Sequence, residues 1–159
     1  MIRPHSTRWR AAALLVLLPA FGCARNTPPA SASAAAPPQW MLGAFQDDYQ
    51  SRHTITPGSW TQERYATYHV VRWNAEGQYL IARNDAQNRD DAGKWTRIDW
   101  MRLDGMPPYE WAYCISIWNA DTAEEAAAAP PAGRDTPRTG CGGHPFTRMQ
   151  RTDATQSPR

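Results

Sequence analysis

Apolar and polar residues alternate along most of the chain beyond residue 40, most regularly over residues 109–118. The odd positions there are Tyr, Trp, Tyr, Ile and Ile, and the even positions Glu, Ala, Cys, Ser and Trp. That period of two, in aromatic and β-branched residues, predicts a strand with one buried face. Cys114 falls on the less apolar face, where a partner cysteine can reach it from outside the core. Strand composition also marks residues 40–45, 53–56, 59–61, 66–73, 78–84 and 94–103. Pro57-Gly58 suits the centre of a type II turn, and residues 74–77 a type I turn with Gly77 left-handed, giving a hairpin. A polar loop over residues 85–93 is the longest interruption. After residue 118, Asp121 is the expected cap of a helix over 122–129, stopped by Pro130-Pro131. The fold predicted is mainly β: an antiparallel up-and-down meander of six to seven strands, forming a small barrel or strongly bent sheet, with one short C-terminal helix. Its outline is lipocalin-like by architectural analogy alone.

The start of the chain adds an address. Arg3, Arg8 and Arg10 precede an apolar run over residues 11–21, a basic region followed by a segment too short to span a bilayer as a mature helix. The run ends in Ala20-Phe21-Gly22-Cys23, which resembles a bacterial lipobox with Ala in place of the usual Leu. The resemblance implies a lipoprotein signal peptide over residues 1–22 and a lipidated Cys23, carrying a diacylglycerol and a palmitate-like amide chain. An ordinary secretory signal with an incidental Cys23 is the alternative. Ala24, where an Asp would favour inner-membrane retention, implies the outer membrane by analogy with Gram-negative sorting. Residues 23–39 then form a Pro/Ala/Ser-rich tether, reaching roughly 40 Å if extended. Residues 40–151 are one β-domain, and residues 152–159 a disordered tail.

With Cys23 taken by lipid, Cys114 and Cys141 remain as a pair in an oxidising compartment. A bond between them would be worth about 3–4 kcal/mol in the chain-entropy model; the alternative is two free thiols. Loss of the three signal arginines takes the formal charge from +2 to +2 − 3 = −1, which gives no support for nucleic-acid binding.

The segments Trp40-Met41-Leu42-Gly43, Tyr79-Leu80-Ile81-Ala82-Arg83-Asn84-Asp85, Trp95-Thr96-Arg97-Ile98-Asp99-Trp100 and Gly140-Cys141-Gly142-Gly143 together resemble uncharacterised domains of bacterial envelope lipoproteins. The resemblance extends over most of residues 40–148. It implies a β-rich domain and carries no known activity.

Catalytic and metal signals are weak. His53, His69 and His144 do not stand at metal-ligand spacing with one another or with an acid. The oxygen-rich loop around Asp85, Asp90 and Asp91 lacks the alternating ligand pattern of an EF-hand, because Ala86 and Arg89 interrupt it. There is no Gly-x-Ser-x-Gly elbow. No cofactor, metal or enzymatic activity is expected.

The aromatic load points to binding instead. Residues 40–150 hold seven Trp, six Tyr and two Phe. Trp95 and Trp100 have opposite parity on one strand, as do Trp111 and Trp118 on another, so some rings face away from the core. Such rings are either covered by the helix and the Cys141 return, the reading favoured here, or form a recognition surface for a flat apolar or sugar partner. The expected function is that of a lipid-anchored envelope protein acting as a non-catalytic binding or interaction module. Its partners are the membrane, through Cys23, and an envelope protein. The alternative is a lipocalin-like carrier of a small apolar ligand, with Tyr79, Arg83, Trp95 and Arg97 as lining residues.

Overall fold

The computed structural model of the protein describes residues 36–152. The expected signal peptide, Cys23, residues 23–35 of the expected tether and residues 153–159 of the expected tail lie outside the described residues. Eight antiparallel strands close into a barrel in which each pairs with its neighbour in sequence and the last returns to the first. They are β1 (Gly43–Asp47), β2 (Arg52–Ile55), β3 (Ser59–Gln62), β4 (Ala66–Asn74), β5 (Tyr79–Asn84), β6 (Trp95–Arg102), β7 (Trp111–Ala120) and β8 (Thr147–Arg151). The mainly β meander is thus a closed barrel with one more strand than the six to seven expected. β8 escapes the sequence pattern because Thr-Arg-Met-Gln-Arg offers one apolar side chain, Met149, which is buried. Pairing with both β1 and β7, this polar strand is what shuts the barrel.

Phe45, Ile55, Trp60, Tyr68, Trp73, Leu80, Ile98, Trp100, Trp111, Tyr113 and Met149 form the interior. An eight-stranded barrel is just wide enough for side chains to fill, and aromatic edges do most of the filling here. The Trp60 and Tyr113 centroids lie 5.0 Å apart and those of Phe45 and Trp111 5.3 Å apart, both edge-to-face, the arrangement that the ring quadrupole favours.

One end is sealed. Residues 40–42, expected in the first strand, instead enter a 3-10 turn at Gln39–Met41 that buries Met41 in the barrel core. Trp40 packs edge-on against Trp111, under the Arg102 guanidinium. Arg151, on the closing strand, donates to the carbonyls of Leu42 and Trp40 at 3.1 and 2.8 Å. The chain therefore enters the domain at its closed base.

Two layers cover part of the outside. Helix α1 (Ala123–Ala128) packs Ala123, Ala126 and Ala127 onto Ile81, Trp95 and Ile117. Its cap is Thr122, whose hydroxyl accepts from the Glu125 amide, and not Asp121, whose carboxylate pairs with Lys94. The return between α1 and β8 packs Ala132, Cys141 and Phe146 against Ala112 and Cys114. Cys114 and Cys141 are bonded, closing a separation of 27 residues.

The hairpin turn before β5 also differs from expectation. The left-handed residue is Gln78, with φ 54°, and not Gly77. Gly77 is instead required by close approach: a Cβ there would stand 2.8 Å from the Tyr79 ring.

Candidate binding site at the open end of the barrel

In an up-and-down barrel, alternate connections gather at opposite ends. The β1–β2, β3–β4, β5–β6 and β7–β8 connections all lie at the end away from the 3-10 turn. At this mouth a cavity of about 330 Å³ is lined by residues including Tyr65, Tyr68, Asn84, Asp91, Ile115 and Trp118. Trp118 is 54% exposed, Tyr65 64% and Tyr49, on the neighbouring turn, 69%. A second groove of about 710 Å³ shares Ile115 and Trp118 and runs along β7 beneath the return, with Tyr49 at its edge.

The position of Trp118 is set from inside. Asn84 is the last residue of β5 and faces the interior, where an unpaired amide would be costly. Its Nδ2 donates to the carbonyls of Asp91 and Trp118, both at 2.9 Å. Its Oδ1 accepts from the Thr96 hydroxyl, which also donates to the Trp118 carbonyl. One buried amide thus fixes two neighbouring parts of the mouth, the β5–β6 loop and the end of β7.

The β5–β6 loop is tied down by a second asparagine. Asn88 Oδ1 accepts from the Thr67 amide at 2.9 Å, and Asn88 Nδ2 donates to the Thr67 carbonyl at 3.0 Å. At the start of this loop Asp85 accepts from the Gln87 amide and meets His69 at 2.6 Å. Those contacts, the Gln87 hydrogen bond foremost, hold its carboxyl below the usual range. Asp90 pairs with Arg89. The Asp85, Asn88 and Asp90 side chains are thus occupied within the loop and its neighbours, and among the described residues no cluster of His, Cys, Asp and Glu has the makings of a metal site.

Tyr68 forms the floor of the mouth. It is 8% exposed, and its hydroxyl has no hydrogen-bond partner among the described residues. Burial, helped by the nearby Asp91 charge, raises its pKa above the ordinary value, so it stays a neutral hydroxyl able to donate and to accept.

A separate polar chain runs through the adjoining core. Trp60 Nε1 donates to His53 Nδ1 at 3.0 Å, and His53 Nε2 lies 3.0 Å from Asp47 Oδ2. Since Nδ1 accepts, the ring proton sits on Nε2 and is donated to Asp47. Asp47 also accepts from the Tyr49 and Ser51 amides, which shapes the β1–β2 turn. His53 and Asp47 are both buried; the chain supports the rim and does not open onto it.

The four residues expected to line an interior site lie elsewhere. Tyr79, Arg83, Trp95 and Arg97 share the outer face of β5 and β6, opposite to Leu80, Ala82, Thr96 and Ile98. Tyr79, Trp95 and Arg97 come together under helix α1, while Arg83 is exposed and donates to the Gly93 carbonyl. Arg97 stacks over Tyr79 at 4.0 Å and donates to the carbonyls of Ala127 and Ala129 at the helix end. Its other donors meet Asp99, which also accepts from Arg134 at 2.9 Å and from Ser116. This buried cluster pins the helix and the return to the barrel wall.

The outward rings divide. Trp95 is covered by helix α1, as favoured from parity, while Trp118 stays uncovered at the rim. Tyr65, Tyr68 and Asn84 carry no sequence signal of their own; the unexplained surplus of outward aromatic residues was the one pointer to a surface of this kind. No family model, curated protein or solved structure matches the chain.

Proposed function

We propose that the protein is a lipid-anchored component of the cell envelope, held at the outer membrane through Cys23, whose barrel binds a ligand or partner at its open end without catalysis. The observation that carries this reading is the contrast between the two ends. The interior is filled by side chains and the base is sealed, while Trp118, Tyr65 and Tyr49 stand exposed around a shaped mouth. A cluster of exposed large rings rimmed by polar residues marks a surface for binding a ligand or partner. The tether enters at the sealed base, which leaves the mouth at the far end of the domain. The carrier of a small apolar ligand is the weaker reading, because aromatic side chains occupy the space such a ligand needs.

Native mass spectrometry of the full chain purified from its own host tests the binding half. Wild type should retain a non-covalent partner that Trp118→Ala loses; identical spectra for the two would count against a site at the mouth. Metabolic labelling with a fatty-acid analogue tests the anchor. Cys23→Ser should abolish incorporation, and continued labelling would refute lipidation at Cys23.

A further inference from the structure

Building on binding at the barrel mouth, we propose that the ligand is a neutral saccharide, seated with a ring face on Trp118 and its hydroxyls on Asp91 and Tyr68. The cavity of about 330 Å³ lies near the lower end of the roughly 300–1,000 Å³ usual for small-molecule sites. Its lining mixes large rings with polar groups, as a sugar demands. The C–H face of a pyranose carries slight positive charge and stacks on the negative face of an indole. Its hydroxyls, in turn, need partners that accept and donate in alternation.

Those partners are present and unspent. Tyr68 as a residue is 8% exposed and lines the cavity, and its hydroxyl, which reaches solvent there, has no protein partner among the described residues. A hydroxyl at the cavity wall with no protein partner is free to donate to and accept from a ligand. The Asp91 carboxylate likewise makes no side-chain hydrogen bond among the described residues. It can accept from two neighbouring hydroxyls at once, an arrangement that vicinal diols supply. An apolar ligand would leave both groups unpaired at a substantial cost.

Charge favours a neutral ligand. The lining holds Arg64 and Arg89 against Asp90 and Asp91, a balance of 2 − 2 = 0. The site is also set in advance. Asn84 anchors Trp118 and Asp91 from the same side chain, so little ordering remains to be done on binding.

The test is a glycan array probed with the full chain in detergent, followed by titration of any neutral oligosaccharide that binds. Wild type should bind at least one such glycan. Trp118→Ala and Asp91→Ala should each weaken it by about tenfold or more, with Tyr68→Phe weaker by a smaller factor and all three folded by circular dichroism. Trp118 is largely exposed, so its loss will not unfold the barrel. Absence of binding to every glycan, or binding that survives Trp118→Ala, overturns the proposal. If the species retained from the host is a peptide or an apolar molecule and is lost in Trp118→Ala, the mouth stands as the site and the saccharide does not.

Discussion

Asn84, buried within the barrel, donates a 2.9 Å hydrogen bond to the main-chain carbonyl of Trp118, the large ring left uncovered at the mouth. An interior polar residue thereby sets the place of an exterior aromatic one. Asn84→Leu should take one hydrogen bond from each of the Asp91 and Trp118 carbonyls and from the Thr96 hydroxyl. The expected cost is about 2–3 kcal/mol of stability, measurable by urea unfolding. Hydrogen exchange should also quicken in residues 85–94 more than in β1 or β2. A uniform increase across the barrel would contradict a local positioning role.

Acid should weaken the fold through His53. Burial outweighs the attraction of Asp47 and lowers its pKa from the ordinary 6.5. Protonation would also place a second donor against Trp60 Nε1. The unfolded chain therefore takes up this proton at higher pH than the folded one. Stability from this group is complete above about pH 6.5 and declines as pH falls from there through the lowered folded value. His53→Gln should flatten that part of a stability–pH profile. An equal slope in wild type and variant would show that another group is responsible.

Asp99 gathers Arg97, Arg134 and Ser116 beneath α1 and the return. Asp99→Ala leaves the buried Arg97 uncompensated, at a cost of about 3–5 kcal/mol. Limited proteolysis should then cut first between residues 130 and 140, since Arg134 loses its charged partner and is left with the carbonyls of Gly77, Gln78 and Trp100 alone. Early cleavage in the barrel strands would instead indicate global unfolding.

The disulfide and Asp99 hold the return independently. Cys114→Ser should cost about 3–4 kcal/mol from loop closure. Calorimetry should show a lower melting temperature with cooperative unfolding kept, because Phe146 and Ala132 still pack on Ala112. An unchanged melting temperature under reductant would contradict this.

What the sequence made legible follows from how each element is specified. The first half of β7 alternates, so the inward Trp111 and Tyr113 and the outward Cys114 could be read; a register shift against β6 then turns Ile117 outward under α1, which alternation does not show. β8 closes the barrel with one apolar residue, and its role comes from the strands on either side of it. Tyr79, Arg83, Trp95 and Arg97, expected to line an interior site, share the outer face instead. Amphipathic side chains lie outside under a helix, while polar Asn84 and Thr96 point in. Periodicity gives parity without saying which parity is the interior when both faces are covered. The mouth stayed hidden for another reason: its parts come from β3–β4, β5–β6 and β7, brought together only by closure.

Binding at the mouth can be measured where the protein works. Hydroxyl-radical footprinting of the full chain in intact host envelopes, compared with the purified protein, reports the exposure of each end separately. Trp118 and Tyr65 should oxidise more slowly in the envelope than after purification, while Val71, exposed on β4 toward the base, should change little. Equal oxidation of Trp118 and Tyr65 in both states, or protection confined to Val71, would contradict a recognition surface at the open end of the barrel.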